Sequence, residues 1–211
     1  FGHPTLMRIS VALKLLIISI CVSFLVRQAL LNPKNKDGRL MVFVMSLTLA
    51  SDVILLLTRQ FTVGLVLFVI VQGLYSVRIQ KRLVMKRVFI NGAVFIACLL
   101  FFIQMMPDRF NYALMLALGA FYAFLFIWNI FSLSVQKSKD SYDSRLFVIG
   151  LILYALCDIN VAIYNFPSFF DSNVFLSRIY ASSGLAMWLF YLPGQVALTL
   201  SVRRKVDGVN G

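Results

Sequence analysis

The sequence contains one histidine, His3, and no glutamate, so all eight of its acidic residues are aspartates. A single histidine in the N-terminal tail excludes a membrane zinc hydrolase built on several histidines. It equally excludes a Ser-His-Asp triad within the bilayer. Three cysteines are present, Cys21, Cys98 and Cys157, all inside apolar stretches and without a CxxC pair. They make no disulfide framework and report nothing about redox environment. No phosphate-cradling glycine loop is found, and no alternating ten-residue strands of the kind a membrane β-barrel requires. Charged residues are also scarce, at 13% against about 25% in soluble domains. What replaces them is apolar, 61% of 211 residues, and lipid has to be the solvent. Nothing in the pattern calls for a cofactor or a metal.

Seven apolar stretches have roughly the 17 to 23 residues that cross a hydrocarbon core of about 30 Å at 1.5 Å per helical residue. They run Ile9 to Leu31, Leu40 to Leu57, Phe61 to Val77, Arg87 to Met106, Tyr112 to Val135, Leu146 to Phe166 and Ile179 to Val202. Helix-ending connectors separate them, at Asn32 to Gly38, Met106-Pro107-Asp108, Ser138 to Ser141 and Asn165 to Ser168. The expected fold is an all-α, polytopic transmembrane helical bundle forming a single transmembrane domain over residues 1–211.

A net charge of +12 raises nucleic acid as a partner, but the placement of the charges decides against it. One side of the membrane collects Arg27, Lys34, Lys36, Arg39, Arg78, Lys81, Arg82, Lys86, Arg87, Lys137, Lys139, Arg145, Arg203, Arg204 and Lys205, fifteen of the twenty basic residues. The other side has Arg8, Lys14, Arg59, Arg109 and Arg178. The positive-inside rule makes the first side cytoplasmic, which gives a multi-pass cell-membrane protein with a cytoplasmic C-terminus. Membrane lipids, through their anionic headgroups, are the partners such loops meet.

Six aspartates, Asp37, Asp108, Asp140, Asp143, Asp171 and Asp207, fall in connectors or the tail; Asp52 and Asp158 fall within spans. A carboxylate near a helix centre costs about 2.5 to 3.5 kcal/mol on insertion scales, so it marks a functional position facing the bundle interior or a wet cavity. Asp52 follows Arg39 by thirteen residues, Asp158 follows Arg145 by thirteen, and Lys14 precedes Arg27 by thirteen. Each therefore stands roughly 20 Å from the basic side. One reading is a buried ion pair of Lys14 with one aspartate that fixes helix packing; it leaves the second aspartate without a role. The other is acid and base catalysis by two carboxylates in different environments, one of them beside the ammonium.

The surroundings of the two aspartates repeat. Each follows a small residue (Ser51, Cys157) and precedes a β-branched one (Val53, Ile159), and in each next span an aromatic precedes a glutamine by four: Phe68 and Gln72, Tyr191 and Gln195. This suggests a parallel 4+4 duplication, which requires one more span before Phe1. Tyr75 is one turn from Gln72, and Trp188, Tyr191 and Gln195 share a helical face. The glutamines serve either interhelical hydrogen bonding or substrate contact. Asn129, Asn160 and Asn165 read as packing polars, and the runs Leu99 to Phe102 and Phe121 to Phe124 as lipid-facing or core surface.

At these residues the chain resembles the YhhN-like lysoplasmalogenase family of eight-span membrane proteins, over most of its length. Lys14 matches an early lysine of the family's second span, and Ser51-Asp52 its small-Asp motif. Phe61-x-x-Gly64-x-x-x-Phe68-x-x-x-Gln72-x-x-Tyr75 matches the next span, Cys157-Asp158 a late Ser-Asp-like pair, and Tyr191-x-x-x-Gln195 the final motif. Two positions depart: Gln72 stands where the family usually has histidine, and Ser51 where it often has glycine. A proton transfer assigned to that histidine cannot operate here. The family's first span would lie upstream of Phe1.

The resemblance implies a lysophospholipid substrate: hydrolysis of the vinyl ether of a lysoplasmalogen to a fatty aldehyde and a glycerophospho-base. Enol ethers open through protonation of the β-carbon to an oxocarbenium ion that water captures, a charge pattern shared with glycoside hydrolysis. Asp52 and Asp158 would be the catalytic acid and base, in either order, with Lys14, Gln72, Tyr75, Tyr191 and Gln195 binding substrate. The competing class is a non-catalytic lipid-binding or proton-coupled transport protein, in which the same carboxylates would be protonation sites.

Overall fold

The structure, a computed structural model, describes residues 4–58, 60–80, 85–135, 142–165 and 174–202. Of the positions singled out above, His3, Arg59, Lys81, Arg82, Lys137, Lys139, Asp140, Asp171, Arg203, Arg204, Lys205 and Asp207 lie outside them, as do the connectors around Ser138 and Pro167. So do the side chains of Arg8, Lys86, Asp143, Asn165 and Arg178.

Among the described residues everything ordered is helical: α1 (Pro4–Leu31), α2 (Lys36–Val53), α3 (Phe61–Gln80), α4 (Met85–Met105), α5 (Phe110–Val135), α6 (Tyr142–Asn165) and α7 (Val174–Leu200). Six are long and apolar enough to cross a membrane, over Val11–Leu31, Lys36–Thr58, Phe61–Gln80, Arg87–Met105, Phe110–Val135 and Ser144–Ile163. In α7 the apolar described run is Ala186–Leu200. The protein is thus a multi-pass helical membrane protein. The second helix starts four residues before the expected Leu40 because Asn35 caps it, its Oδ1 accepting from the Gly38 N–H at 3.2 Å. Asp37, expected in a connector, therefore lies in a helical first turn, where its charge suits the positive end of the helix dipole.

The chain packs as two compact units, Phe1–Gln28 with Lys137–Gly211, and Ala29–Gln136. In the second unit α2 packs on α3, α3 on α5, and α5 on α4. Two ties set the α2–α3 pairing. Arg78 at the end of α3 donates from Nε and Nη2 to the two carboxylate oxygens of Asp37, at 2.7 and 2.8 Å. At the opposite end Ser51 Oγ donates to the Gly64 carbonyl at 2.8 Å. Positions 37 to 51 and 64 to 78 are equal intervals, so the helices run antiparallel without slippage between the ties. Aromatic packing joins the rest: Phe68 on α3 lies 5.9 Å from Tyr122 on α5, and Phe95 on α4 lies 5.3 Å from Phe121, between ring centroids. Phe121 and Tyr122 are buried, whereas Leu100 and Phe101 are exposed along with most of α4.

The first unit rests on the α6–α7 pair, which is packed through glycines. A Cβ at Gly150 would come within 2.9 Å of the Leu198 backbone nitrogen, and one at Gly194 within 3.3 Å of that of Tyr154. In lipid, where apolar surface gains nothing by leaving its solvent, close backbone approach at small residues is a main source of helix association. The first helix joins this pair through Lys14, whose Nζ lies 4.3 Å from the centroid of the Tyr191 ring, and through Cys21, a hydrogen-bond partner of Thr199. Seven residues along α1 match eight along α7, so these two helices run parallel.

Candidate functional site

The buried face of α2 carries Met41, Val44, Met45, Thr48, Ser51 and Asp52, the helical spacing of one inward stripe. Its last member is a carboxylate with 1% exposure. Directly after Val53 the helix widens into a π-helical segment, Ile54–Thr58. Such segments are rare and frequent at functional sites. No residue in Ile54–Thr58 breaks a helix, which explains why sequence reasoning missed it. The Gly64 that accepts from Ser51 also faces this segment, since a Cβ there would meet the Leu55 side chain. The family-like Ser51-Asp52 and Gly64 positions are therefore brought together at one end of the hairpin.

On α3, Gly64, Gln72, Tyr75 and Ile79 are buried along one face. Gln72 faces Asn129 on α5: Asn129 Nδ2 donates to the Gln72 carbonyl at 2.9 Å and to Gln72 Oε1 at 3.0 Å. Asn129 Oδ1 accepts from Ser76 Oγ at 2.6 Å. Asn129 is 1% exposed. This is the interhelical hydrogen bonding weighed above for the glutamine, and it gives Asn129 and Ser76 defined positions. The Ser76 link follows from its place one turn after Gln72, but only the packing of α5 identifies the partner. The amide Nε2 of Gln72 is buried and makes no hydrogen bond among the described residues. By the α2–α3 register, Asp52 is level with residue 63, nine residues from Gln72, which is about 13 Å along the axis. The structure thus separates Asp52 from the Gln72 network within the same unit.

In the first unit the residues converge differently. The glycine contacts pair position 150 with 198 and 154 with 194, which places Asp158 level with residue 190, beside Tyr191. Tyr191 is 2% exposed and holds the Lys14 ammonium over its ring. Lys14, Asp158 and Tyr191 therefore occupy one level, with Asp158 half-buried. Gln195 lies one turn further along α7 and is 1% exposed; among the described residues neither its Oε1 nor its Nε2 has a hydrogen-bond partner. Pro193 sits between Tyr191 and Gln195 inside the helix. Lacking an N–H, it leaves the Leu189 carbonyl without its helical donor. Asn160, read as a packing polar, bonds back to the Leu156 carbonyl of its own helix at 2.7 Å.

Among the described residues, no group of three or more His, Cys, Asp or Glu side chains is arranged to hold a metal ion. Two kinds of arrangement remain. One is a buried carboxylate beside a π-helical segment, and the other is a carboxylate at the level of an ammonium held by a tyrosine. No curated protein and no solved structure matches the chain. A model of the YhhN family matches residues 6–202, nearly the whole length, and the chain belongs to the YhhN family.

Proposed function

We propose that this YhhN protein is a membrane-embedded hydrolase that opens the vinyl ether of a lysoplasmalogen. The observation that carries the reading is Asp52, a carboxylate 1% exposed within a membrane-length helix and followed at once by a π-helical turn. Burying such a group without a function is costly.

Hydrolysis of R–O–CH=CH–R′ starts with transfer of a proton from a neutral carboxylic acid to the β-carbon, leaving an oxocarbenium ion. Water adds to the carbon attached to oxygen and loses its proton to a carboxylate. The hemiacetal then collapses to the glycerol hydroxyl and the aldehyde. The roles of acid and base fall to Asp52 and Asp158, in either order. Lys14, Tyr191, Gln195, Gln72 and Tyr75 are the polar groups proposed to bind a substrate's glycerol and headgroup. Gln72 carries no exchangeable acid proton and is held by Asn129, so it positions and does not transfer protons.

The basic ends of the spans, and with them the C-terminus, face the cytoplasm in this reading. The parallel course of α1 and α7 supports it, since Arg27 and the end of α7 at Leu200 then share a side. The test is direct. Purified protein incubated with a lysoplasmalogen releases fatty aldehyde, and a saturated alkyl-ether analogue, which cannot be protonated at carbon, releases none. Absence of aldehyde from a folded, monodisperse preparation overturns the assignment. It would favour the non-catalytic lipid-binding or transport reading, to which the replacement of the family's histidine by Gln72 already points.

A further inference from the structure

At the basic end of the second unit, where α3 and α5 end and α4 begins, a cavity of about 240 Å³ is lined by Ile79, Gln80, Arg87, Trp128, Phe131, Ser132 and Val135. Its chemistry is not that of a packing defect. The Arg87 guanidinium lies 5.7 Å from the centroid of the Trp128 ring, and its Nη1 is buried with no hydrogen-bond partner among the described residues. A cation held against an indole with donor capacity unused is arranged to receive an anion. Gln80 and Ser132 add an amide and a hydroxyl to the same wall. The other wall is apolar and opens outward: Phe131 and Val135 are more than half exposed and Trp128 is 37% exposed. Trp128 lies about two turns inside the end of α5 at Val135, a depth at which an indole packs among the upper acyl carbons.

We propose that this cavity binds the phosphate of a membrane phospholipid, with Arg87 as the phosphate ligand, Trp128 packing on the glycerol region, and the acyl chains descending along Phe131 and the exposed face of α5. The surroundings favour an anionic lipid, because Lys34, Lys36 and Arg39 are exposed at the same end of the unit, fixed there by the Arg78 to Asp37 pair. This site is separate from Asp52. Asp52 is level with residue 63 and Gln80 is seventeen residues further along α3, about 25 Å away by the helical rise. A lysoplasmalogen carries its vinyl ether only a few bonds from its phosphate, so a lipid held at Arg87 does not present that bond to Asp52.

The protein has two tryptophans, Trp128 and Trp188, so a Trp188→Phe background makes Trp128 the sole indole reporter. In nanodiscs, phosphatidylglycerol with brominated acyl chains should quench Trp128 at about a tenfold lower mole fraction than an equally brominated galactolipid, the size expected for one charge-assisted contact. Arg87→Gln should remove that difference and Arg87→Lys should keep part of it. Equal quenching by the two lipids, which needs no Arg87 variant to observe, overturns the proposal, as does a preference that persists in Arg87→Gln. Millimolar inorganic phosphate should not relieve the quenching. If it does, the site takes a free anion and the lipid assignment fails.

Discussion

The hairpins α2–α3 and α6–α7 carry the same elements in the same order, an aspartate on the first helix and an aromatic four residues before a glutamine on the second, yet they are paired in different registers. In α2–α3 the ties at Ser51 and Asp37 set Asp52 level with residue 63, five residues from Phe68. In α6–α7 the glycine contacts set Asp158 level with residue 190, one residue from Tyr191. The difference is about one helical turn. It moves the aromatic and the glutamine toward the carboxylate in one hairpin and away from it in the other. The means of pairing differ as well: side-chain hydrogen bonds and an ion pair at the two ends of α2–α3, backbone contact through Gly150 and Gly194 in α6–α7. Similar local patterns therefore produce one buried carboxylate beside a π-helical segment and one carboxylate level with an ammonium.

The strongest test of this contrast replaces each carboxylate by its amide. Asp52→Asn and Asp158→Asn should each lower aldehyde release by about 10² to 10⁴ if both groups move protons, while both variants purify as folded protein. Full activity in Asp158→Asn would confine the chemistry to the α2–α3 hairpin. Next come the glycines. Gly150→Ala drives a methyl against the backbone nitrogen of Leu198, which cannot move alone, and should cost about 1 to 3 kcal/mol, seen as a lowered Tm in detergent. Gly64→Ala meets only the Leu55 side chain, which can turn away, so its loss should be clearly smaller. If the two losses are equal, the distinction between backbone-packed and side-chain-tied hairpins is wrong.

A third comparison targets the tie itself. The Arg78 and Asp37 side chains are 9% and 28% exposed, and Arg78→Gln should destabilise the protein by about 1 kcal/mol, an amount that shrinks in high salt. The same salt series on Gly150→Ala should leave its loss unchanged. The smallest effect is expected at Ser76→Ala, which removes one of the three hydrogen bonds made by the Asn129 amide. About 0.6 kcal/mol is typical for such a bond between membrane helices, and a double variant with Asn129→Leu should show non-additivity.

Much of this organisation was legible before any packing was known. The shared level of Asp158 and Lys14 can be counted from the nearest basic residue, and the family is recognisable from the spacing around Gly64, Phe68 and Tyr75. Asn129 was legible only as a polar residue in a span. Its role depends on Gln72 and Ser76, more than fifty positions away, and on the rotation of α5 that turns its amide toward α3. The π-helical segment after Asp52 has no glycine or proline to announce it. Asp37 was assigned to a connector because Asn32 to Gly38 is rich in turn-forming residues, although Asn35 can also cap a helix and does so here.

The sequence by itself determined which stretches enter lipid, which of their residues are too polar to be there without cause, and to which family the chain belongs. These are sums over single helices, of hydropathy, charge and rise per residue, and need no partner to be evaluated. Only contacts between helices set the registers: that Tyr191 stands beside Asp158 and Lys14 while Asp52 stands apart from Gln72, and that Arg87 meets Trp128 at the basic end. Register is set where two helices touch, through a glycine that admits a backbone or a serine that reaches a carbonyl. Such contacts depend on the relative rotation and sliding of both helices, which the periodicity of either one leaves open.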